Sequence, residues 1–402
     1  MAGPFKFCPR SLNIAPVTPE PRAENKEIKP REGWEDNGES LVACLPGFMP
    51  SIGMSASQLS RRRFLEQTTA SAGASLLINT SGLAGADPAG QTAAEKAARA
   101  RMKVGLYSIT YLGLWYRGES LTLEDVIERA RKYGYDGVEI DGKRPHGNPL
   151  DMPKGRCQEL RSRAESAGLE LYSVAANNDL SSPVPEVRES QIVYLRELIR
   201  MAAELRVKTV RVFLAWPGVT QHPQLARYDL ARGFWKTIHE SFSPEETWEW
   251  CRAGLAECAG YAGDAGVTLA LQNHAPVIND HQDVLRMVRQ VNSPHLKVSL
   301  DVPIMPDKSP AAIQEAARAV GPLQVLSHFG GEYQRQADGS IKGEAFYPMF
   351  VKAMKDIGYE GYIGFELCHP LPVVNGQTVG IEFVDENAEL AAEYMRGLIR
   401  AS

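Results

Sequence analysis

The chain has 402 residues, of which 44% are hydrophobic and 23% are charged, and its formal net charge at pH 7 is −5. This balance is ordinary for a globular protein and excludes a largely disordered chain or an integral membrane protein. The acidic charge gives no sign of a nucleic-acid partner, which would usually require a basic excess. The six cysteines contain no CxxC pair, which argues against a zinc ribbon or a disulfide framework.

An export signal is the most specific motif near the N-terminus. Residues 60–65 read SRRRFL and resemble the twin-arginine export motif. A moderately apolar stretch follows at 68–83, and 84–86 (AGA) supplies the small residues that a signal peptidase needs. We therefore predict a twin-arginine signal peptide at 54–86, with the twin-arginine export machinery as a partner. The apolar run is too short and too polar to anchor the chain in a membrane.

The other boundaries follow from composition. Residues 1–53 are rich in proline and polar side chains, which predicts a segment that is disordered or that precedes the true start at Met54. Residues 87–101 are predicted to be a linker, and 102–402 a single domain. The alternative interpretation of the arginine motif is the start of a basic amphipathic helix. With the export interpretation, the mature protein is expected in the periplasm or outside the cell.

Short apolar strands alternate with amphipathic helices eight times after residue 102. The predicted strands are 104–110, 137–141, 169–175, 209–214, 267–272, 296–301, 323–328 and 361–366. The predicted helices are 122–133, 155–167, 187–205, 243–266, 280–291, 309–319, 345–357 and 385–399. Apolar strands that are each followed by a helix indicate a parallel sheet, and eight such units predict a closed (β/α)8 TIM barrel. A doubly wound open sheet is the alternative, but no glycine-rich turn follows the first strand.

Two features refine this prediction. Thr122 and Ser243 are expected to cap helices, because a hydroxyl before an acidic first turn is typical of a helix start. The segment 215–242 is expected to be a long loop, and therefore a candidate lid over the barrel mouth.

Four polar side chains close the last four predicted strands, namely Gln272, Asp301, His328 and Glu366. Catalytic groups of such barrels lie where strands end, so these side chains are expected to meet at the mouth. Buried without partners they would cost several kcal/mol, whereas one shared cation would satisfy them together. Their donor atoms suit one divalent ion, Mn or Mg, with Co or Zn as alternatives. The competing interpretation is that each side chain bonds a neighbouring loop.

Three segments and three single residues form a wider pattern, namely 135–139 (YDGVE), 266–274 (GVTLALQNH), 358–362 (GYEGY), Asp301, His328 and Glu366. This pattern resembles the xylose isomerase-like TIM-barrel superfamily, also called sugar phosphate isomerase/epimerase. The resemblance covers nearly all of 103–400. It implies a small carbohydrate-like substrate and one divalent ion held by Asp301, His328, Glu366 and the residue at position 272. In epimerases of this kind, glutamates on the fifth and eighth strands exchange the substrate proton from opposite faces.

This chain departs from that pattern at two positions. Gln272 stands where the fifth-strand glutamate is expected, and an amide can offer an oxygen to a metal but cannot take a proton near neutral pH. Ile304 stands where relatives often carry a histidine. We therefore assign Glu366 as the catalytic base and His274, two residues past Gln272 on the same face of the strand, as the second proton carrier.

Three further residues are substrate-binding candidates. Glu139 is expected either to bond a substrate hydroxyl or to form an internal ion pair with Arg211. Arg211 lies within the fourth strand and Trp216 just after it, and Trp216 is expected either to stack on a sugar or to pack beneath the loop.

The leading hypothesis is an exported, metal-dependent isomerase or epimerase that removes a proton from an α-hydroxycarbonyl carbohydrate or cyclitol. One alternative is a lyase or dehydratase that acts on a keto sugar or keto-glycoside at the same site. A second alternative is an exported carbohydrate-binding protein that has lost catalysis. The replacement of the expected glutamate by Gln272 would be the sequence sign of that loss. A phosphodiesterase is disfavoured by the acidic charge and by the lack of further metal ligands.

Overall fold

The computed structural model describes residues 102–221 and 227–402, and their centre is a closed barrel of eight parallel strands. The strands are β1 Lys103–Tyr107, β2 Gly137–Asp141, β3 Glu170–Ala175, β4 Thr209–Val212, β5 Thr268–Gln272, β6 Leu296–Ser299, β7 Gln324–Phe329 and β8 Tyr362–Phe365. Each strand pairs with its sequence neighbours, and β1 pairs with β8 to close the ring. The predicted (β/α)8 barrel is confirmed.

Helices alternate with these strands, as the sequence predicts. They are α1 Leu123–Lys132, α2 Lys154–Ser166, α3 Pro185–Glu204, α4 Arg227–His239, α5 Pro244–Ala265, α6 His281–Val291, α7 Pro310–Val320, α8 Tyr347–Asp356 and α9 Ile381–Ala401. Their apolar sides join the strands in one continuous core. None of the described helices is long and apolar enough to cross a membrane.

Two predicted helix starts have the expected capping geometry. Thr122 and Asp125 form a reciprocal capping box before α1, and Ser243 and Glu246 form another before α5. Each box satisfies amide groups that have no partner inside the helix, which fixes where the chain leaves the preceding loop. α5 ends at Gly266, whose left-handed conformation suits glycine.

The segment 215–242 is not the irregular loop expected from its sequence, because it contains α4. Leu230, Phe234 and Ile238 recur every four residues there, a helical period that the nearby tryptophans, prolines and glycine obscure. Residues 222–226, between β4 and α4, lie outside the described residues. The predicted upstream segment 1–53, signal peptide 54–86 and linker 87–101 also lie outside them.

A tyrosine ring fills the interior below the barrel mouth. Tyr172 of β3 stacks on Tyr362 of β8, with ring centroids 3.9 Å apart and planes 6° from parallel. Gly105 and Gly364 face each other across the β1–β8 pairing, and a Cβ atom on either would overlap the Tyr172 side chain. The ring therefore depends on glycine at these positions, and it supports the polar layer above.

We expect Gly105→Ala to destabilise the barrel, because the added methyl group would displace the Tyr172 ring. Overpacking of this kind typically costs about 1–3 kcal/mol. Gly260→Ala is the matched control: Gly260 lies on the exposed side of α5 with no atom near its missing Cβ, so it should gain up to about 1 kcal/mol. Urea denaturation of both variants measures the difference. Equal midpoints would show that the Tyr172 ring does not need the space at Gly105.

Candidate metal centre and active site

The four predicted strand-end residues lie on consecutive strands at one end of the barrel. Gln272 is the last residue of β5, Asp301 lies just past β6, His328 is in β7, and Glu366 directly follows β8. The first three are at most 2% exposed, whereas the Glu366 side chain is 15% exposed. Glu366 is therefore the member of the quartet that opens most towards solvent.

Asp301 links three of the four residues. Its Oδ2 atom accepts hydrogen bonds from the Gln272 amide and from His328 Nδ1, the latter at 2.8 Å. Its Oδ1 atom accepts the backbone N–H of His328 at 2.9 Å. The Asn273 side chain brackets the backbone of Asp301, accepting its N–H at 2.7 Å and donating to its carbonyl at 3.0 Å. The carboxylate is consequently held in one orientation.

His328 lies between two buried carboxylates. Its Nε2 atom is 2.6 Å from Glu139 Oε2, while Nδ1 faces Asp301. Burial alone lowers the pKa of His328, but the Asp301 and Glu139 carboxylates outweigh it and raise the pKa to about 10. In the absence of a metal ion the ring is therefore an imidazolium that donates from both nitrogens. A carboxylate behind an imidazole also orients the ring for a ligand on its other nitrogen.

Arg211 connects this network to Glu366. Its Nε atom is 3.6 Å from Glu139 Oε1, and its Nη1 atom is 3.6 Å from Glu366 Oε2. The guanidinium lies over the Tyr107 ring, 4.6 Å from the centroid. Ser173 donates to Glu139 Oε1 at 3.1 Å, so both oxygens of Glu139 have partners. The internal ion pair, one of the two roles considered for Glu139, is thus present.

Opposite pKa directions distinguish the two glutamates. Burial alone would raise the pKa of Glu139, but the His328 and Arg211 charges hold it below its usual value. Burial raises the pKa of Glu366, and the Asp301 carboxylate adds to this effect against the same two cations. Glu366 is therefore the carboxyl group that more readily holds a proton.

The described residues contain no group of three or more His, Cys, Asp or Glu side chains arranged to hold a metal ion. Both ring nitrogens of His328 face carboxylates. Among the described residues, the ion pair of Glu366 is with Arg211, which pairs in turn with Glu139 and not with another predicted ligand. The Gln272 side chain turns its amide nitrogen, not its oxygen, towards Asp301. Gln272 Oε1 is buried and has no hydrogen-bond partner among the described residues.

Aromatic side chains cover the barrel mouth. Trp216 makes an edge contact with His274, with centroids 4.9 Å apart, and packs on Phe213 and Tyr228. Tyr228, on α4, stacks on Trp115 and donates its hydroxyl to the Cys368 carbonyl at 2.6 Å. α4 is therefore tied to the loop after β8, two residues past Glu366.

His274 lies beside this aromatic cover. Its Nδ1 atom contacts the neighbouring carbonyl of Ala275, and its ring meets Phe213 and Trp216 edge-on. Burial lowers the pKa of His274 to about 4, and the charges of Arg211 and Arg232 act in the same direction. The imidazole is therefore neutral near pH 7 and is a weak base.

A second polar group at the mouth was not given a role from sequence. Asp141 is fully buried and accepts hydrogen bonds from the Tyr107 hydroxyl at 3.1 Å and from the Asn177 amide at 2.7 Å. Lys143 Nζ lies 3.6 Å from the same carboxylate. Asp141 follows Glu139 by two residues, so strand alternation places both on the same face of β2. That spacing was the available signal.

A family model described as xylose isomerase-like TIM barrel matches residues 127–397. The chain belongs to this family. It is 27% identical over 291 residues to the D-psicose 3-epimerase of Ruminiclostridium cellulolyticum, covering 69% of this chain and 87% of that protein. It is 24% identical over 289 residues to the fructoselysine 3-epimerase of Shigella flexneri, covering 66% of this chain and 90% of that protein. Both relatives are sugar epimerases, and epimerases are a class of isomerase.

Solved structures show the same fold. A D-psicose 3-epimerase determined in the presence of D-fructose matches with a TM-score of 0.56 at 21% identity, covering 74% of this chain and 99% of that one. A 3-keto-D-glucoside 4-epimerase from E. coli matches with a TM-score of 0.53 at 16% identity, covering 75% and 100%. The resemblance stated from sequence is confirmed at the level of family and fold.

The raised pKa of His328 predicts how the metal-free protein responds to pH. The folded state holds the His328 proton up to about pH 10, whereas an unperturbed histidine loses it near 6.5. The stabilisation is therefore complete below pH 6.5 and is lost as the pH rises through 10. We expect the free energy of unfolding, measured with a chelator present, to fall across this range.

His328→Gln is the control for this prediction, because it removes the titrating group and keeps a side chain that can hydrogen-bond. Its unfolding free energy should be lower at pH 6.5 and should depend less on pH than that of the native chain. Tyrosine, cysteine and lysine titrations are common to both proteins and cancel in the difference. Parallel pH profiles would contradict the buried imidazolium.

Proposed function

We propose that this chain is an exported, divalent-metal-dependent sugar isomerase or epimerase that removes a proton from an α-hydroxycarbonyl carbohydrate or cyclitol. Family membership and the 3-epimerase relatives support the reaction class. The observation that carries the proposal is the position of Glu366, a partly exposed carboxylate with a raised pKa next to a buried group of charges. A carboxylate whose pKa is raised is a stronger base and so is better suited to proton abstraction.

The chemistry of the donor set fits a divalent ion. Gln272, Asp301, His328 and Glu366 would hold it, through one amide oxygen, two carboxylates and one imidazole nitrogen. The unpartnered Gln272 Oε1 supports this assignment, because a buried carbonyl oxygen without a donor costs about 1–3 kcal/mol. Such ligands suit Mn or Mg, with Co or Zn as alternatives.

The charge of the pocket also fits. With His328 neutral, the three carboxylates of Glu139, Asp301 and Glu366 and the guanidinium of Arg211 sum to −3 + 1 = −2. One divalent cation neutralises that charge, whereas uncompensated charge in a buried site is unfavourable. Without the ion, protons on His328 and Glu366 would serve the same purpose, in agreement with the raised pKa of both groups.

Residues of this chain then share the reaction. The bound ion would polarise the substrate carbonyl and lower the cost of removing the adjacent C–H proton. Glu366 accepts that proton, and Arg211, 3.6 Å from it, stabilises the carboxylate form. Trp216 and Tyr228 pack together over the mouth, where an apolar cover would keep water away from the reacting substrate.

Gln272 limits which reaction is available. An amide carries no transferable proton near neutral pH, and His274, with a pKa of about 4, is a weak substitute on that side. Glu366 acting alone would return the proton on one face, which suits isomerisation. It also suits loss of a β-oxygen substituent. This favours a second candidate function, a lyase or dehydratase that acts on a keto sugar or keto-glycoside at the same site.

Export is proposed on sequence grounds. The SRRRFL motif at 60–65, the apolar run and the AGA site occur in the order that a twin-arginine signal requires. The substrate would then be a carbohydrate available outside the cytoplasm, and the enzyme would work without a stable membrane anchor or nucleic-acid partner.

Metal content tests the ligand assignment. We expect the purified native chain to carry about one divalent ion and Asp301→Ala to lose it, because Asp301 contacts two of the other proposed ligands. Asp338→Ala is the matched control, since Asp338 lies on an exposed loop and bonds only Ser340. Elemental analysis by mass spectrometry gives the ratio of ion to protein. Full metal content in Asp301→Ala would overturn the assignment.

Proton exchange tests the catalytic assignment. We expect the native chain to act on at least one member of a panel of keto sugars, inososes and 3-keto-glycosides. It should either incorporate solvent deuterium into that compound or eliminate a substituent from it, and NMR detects both outcomes. Glu366→Gln should lower this rate by at least about a hundredfold, the range for loss of a general base. The control Glu332→Gln, beside exposed His369, should not change the rate.

Gln272→Glu separates the catalytic hypotheses. If Glu366 works alone, the added carboxylate should introduce exchange from the second face and so increase epimerisation. A native chain that exchanges no deuterium while Gln272→Glu does would identify a binding protein that has lost catalysis. Equal exchange in Glu366→Gln and the native chain would contradict the role of Glu366.

A further inference from the structure

A second concave site lies beside the barrel mouth. It is a cleft of about 490 Å³ between the end of α4, the start of α5 and the loop that follows β5. We call it the aromatic cleft, and its lining residues include Trp235, Trp248, Pro276, Val277, Asp283 and Arg286. None of the proposed metal ligands lines it. Its volume is within the range of small-molecule sites, about 300–1,000 Å³.

The two indole rings of the cleft are held firmly. Trp235 donates its N–H to Ser181 Oγ at 2.8 Å and stacks on His239, with centroids 4.0 Å apart. Trp248 donates its N–H to Gln290 Oε1 at 2.6 Å and lies under the Arg286 guanidinium at 4.2 Å. The polar atom of each indole is already satisfied. Trp248 is only 7% exposed, so the accessible indole surface of the cleft comes mainly from the half-buried Trp235, on the face away from His239. A rigid ring of this kind loses little entropy when a ligand binds.

The rim of the cleft is polar and of mixed charge. Asp283 and Arg286 lie on one turn of α6, and Lys236 and Glu245 face them from α4 and α5. Opposite charges at the same rim do not favour a phosphate or another polyanion. They do offer donors and acceptors to hydroxyl groups. Flat apolar walls below a ring of hydrogen-bonding groups match a pyranose, which has C–H faces and hydroxylated edges.

The cleft is joined to the proposed active site by a short stretch of chain. His274 packs against Trp216 in the mouth, and Pro276, two residues later, lines the cleft. Two residues of extended chain span at most about 7 Å. α4 is also common to both places, since Tyr228 covers the mouth and Trp235 forms the cleft wall. The cleft and the mouth are therefore neighbours along the loop after β5, which is the arrangement that a ligand with two linked rings would need.

We propose that the aromatic cleft binds a pyranose ring and holds the second ring of a disaccharide or glycoside whose reacting ring lies at the barrel mouth. The second half of this proposal rests on the proposed function. The substrate class becomes an oligosaccharide or glycoside with an oxidised or ketose ring, in preference to a free monosaccharide.

Binding to the full chain tests the cleft without turnover. The probes are cellobiose, maltose and trehalose, with glucose as the single-ring comparison. Tryptophan fluorescence and saturation-transfer NMR measure the binding of each sugar. We expect one disaccharide to bind at least about tenfold more tightly than glucose, a factor that corresponds to about 1.4 kcal/mol. Trp235→Ala should remove this advantage. Val277→Arg, which fills the cleft and removes no indole, should do the same if Trp235→Ala fails to fold.

Two controls locate the binding and separate the proposals. Tyr261→Ala removes a partly exposed aromatic ring elsewhere on α5 and should bind like the native chain. Asp301→Ala, expected to lose metal and turnover, should keep disaccharide binding within a few fold. The proposed sugar site in the cleft would be overturned if no disaccharide binds better than glucose. It would also be overturned if disaccharides bind Val277→Arg as well as they bind the native chain. Either result would count even if the protein turns over a keto sugar. Cleft-dependent binding without any turnover would instead overturn the proposed function and leave the cleft.

Discussion

The compensation of charge inside the barrel is the constraint on which the rest of the site depends. Glu139, Asp301 and His328 are almost completely removed from water, and a buried carboxylate without a partner would be strongly destabilising. The imidazole meets this constraint by bridging the two carboxylates, and Arg211 extends the compensation to Glu366. A further carboxylate, Glu366, can therefore lie at the mouth without a large electrostatic penalty, because the charges beneath it are already paired.

The layers above and below this network have different tasks. Below it, the Tyr172 ring occupies the space that Gly105 and Gly364 leave, within a buried apolar cluster. Above it, Tyr228 ties α4 to the loop after β8, so an aromatic surface lies beside the partly exposed carboxylate that is proposed as the base. An apolar floor and an aromatic cover lower the local dielectric, which strengthens the electrostatic contacts between them.

Local pattern was sufficient to predict the barrel and the strand ends, because both follow from sequence periodicity. The capping boxes at Thr122 and Ser243 likewise depend on residues three apart. Contacts between side chains on opposite sides of the barrel could not be predicted from local sequence patterns. Glu139 and His328 are separated by 189 residues, and their contact depends on strand register and on which way each side chain turns. α4 was missed because its helical period is weak beside loop-forming residues, and the aromatic cleft that it helps to form was missed with it.

Gln272 has a physical role even before any ion is considered. Its amide donates to Asp301, a bond that an ionised glutamate at this position could not make without a proton or a cation between the two carboxylates. A glutamate would also bring the pocket from −2 to −3, beyond what one divalent ion neutralises. Gln272 and Arg211 therefore act together: one removes a negative charge and the other adds a positive one. This arrangement lowers the buried negative charge of the pocket, and it does so without the second carboxylate that a two-face proton exchange would use.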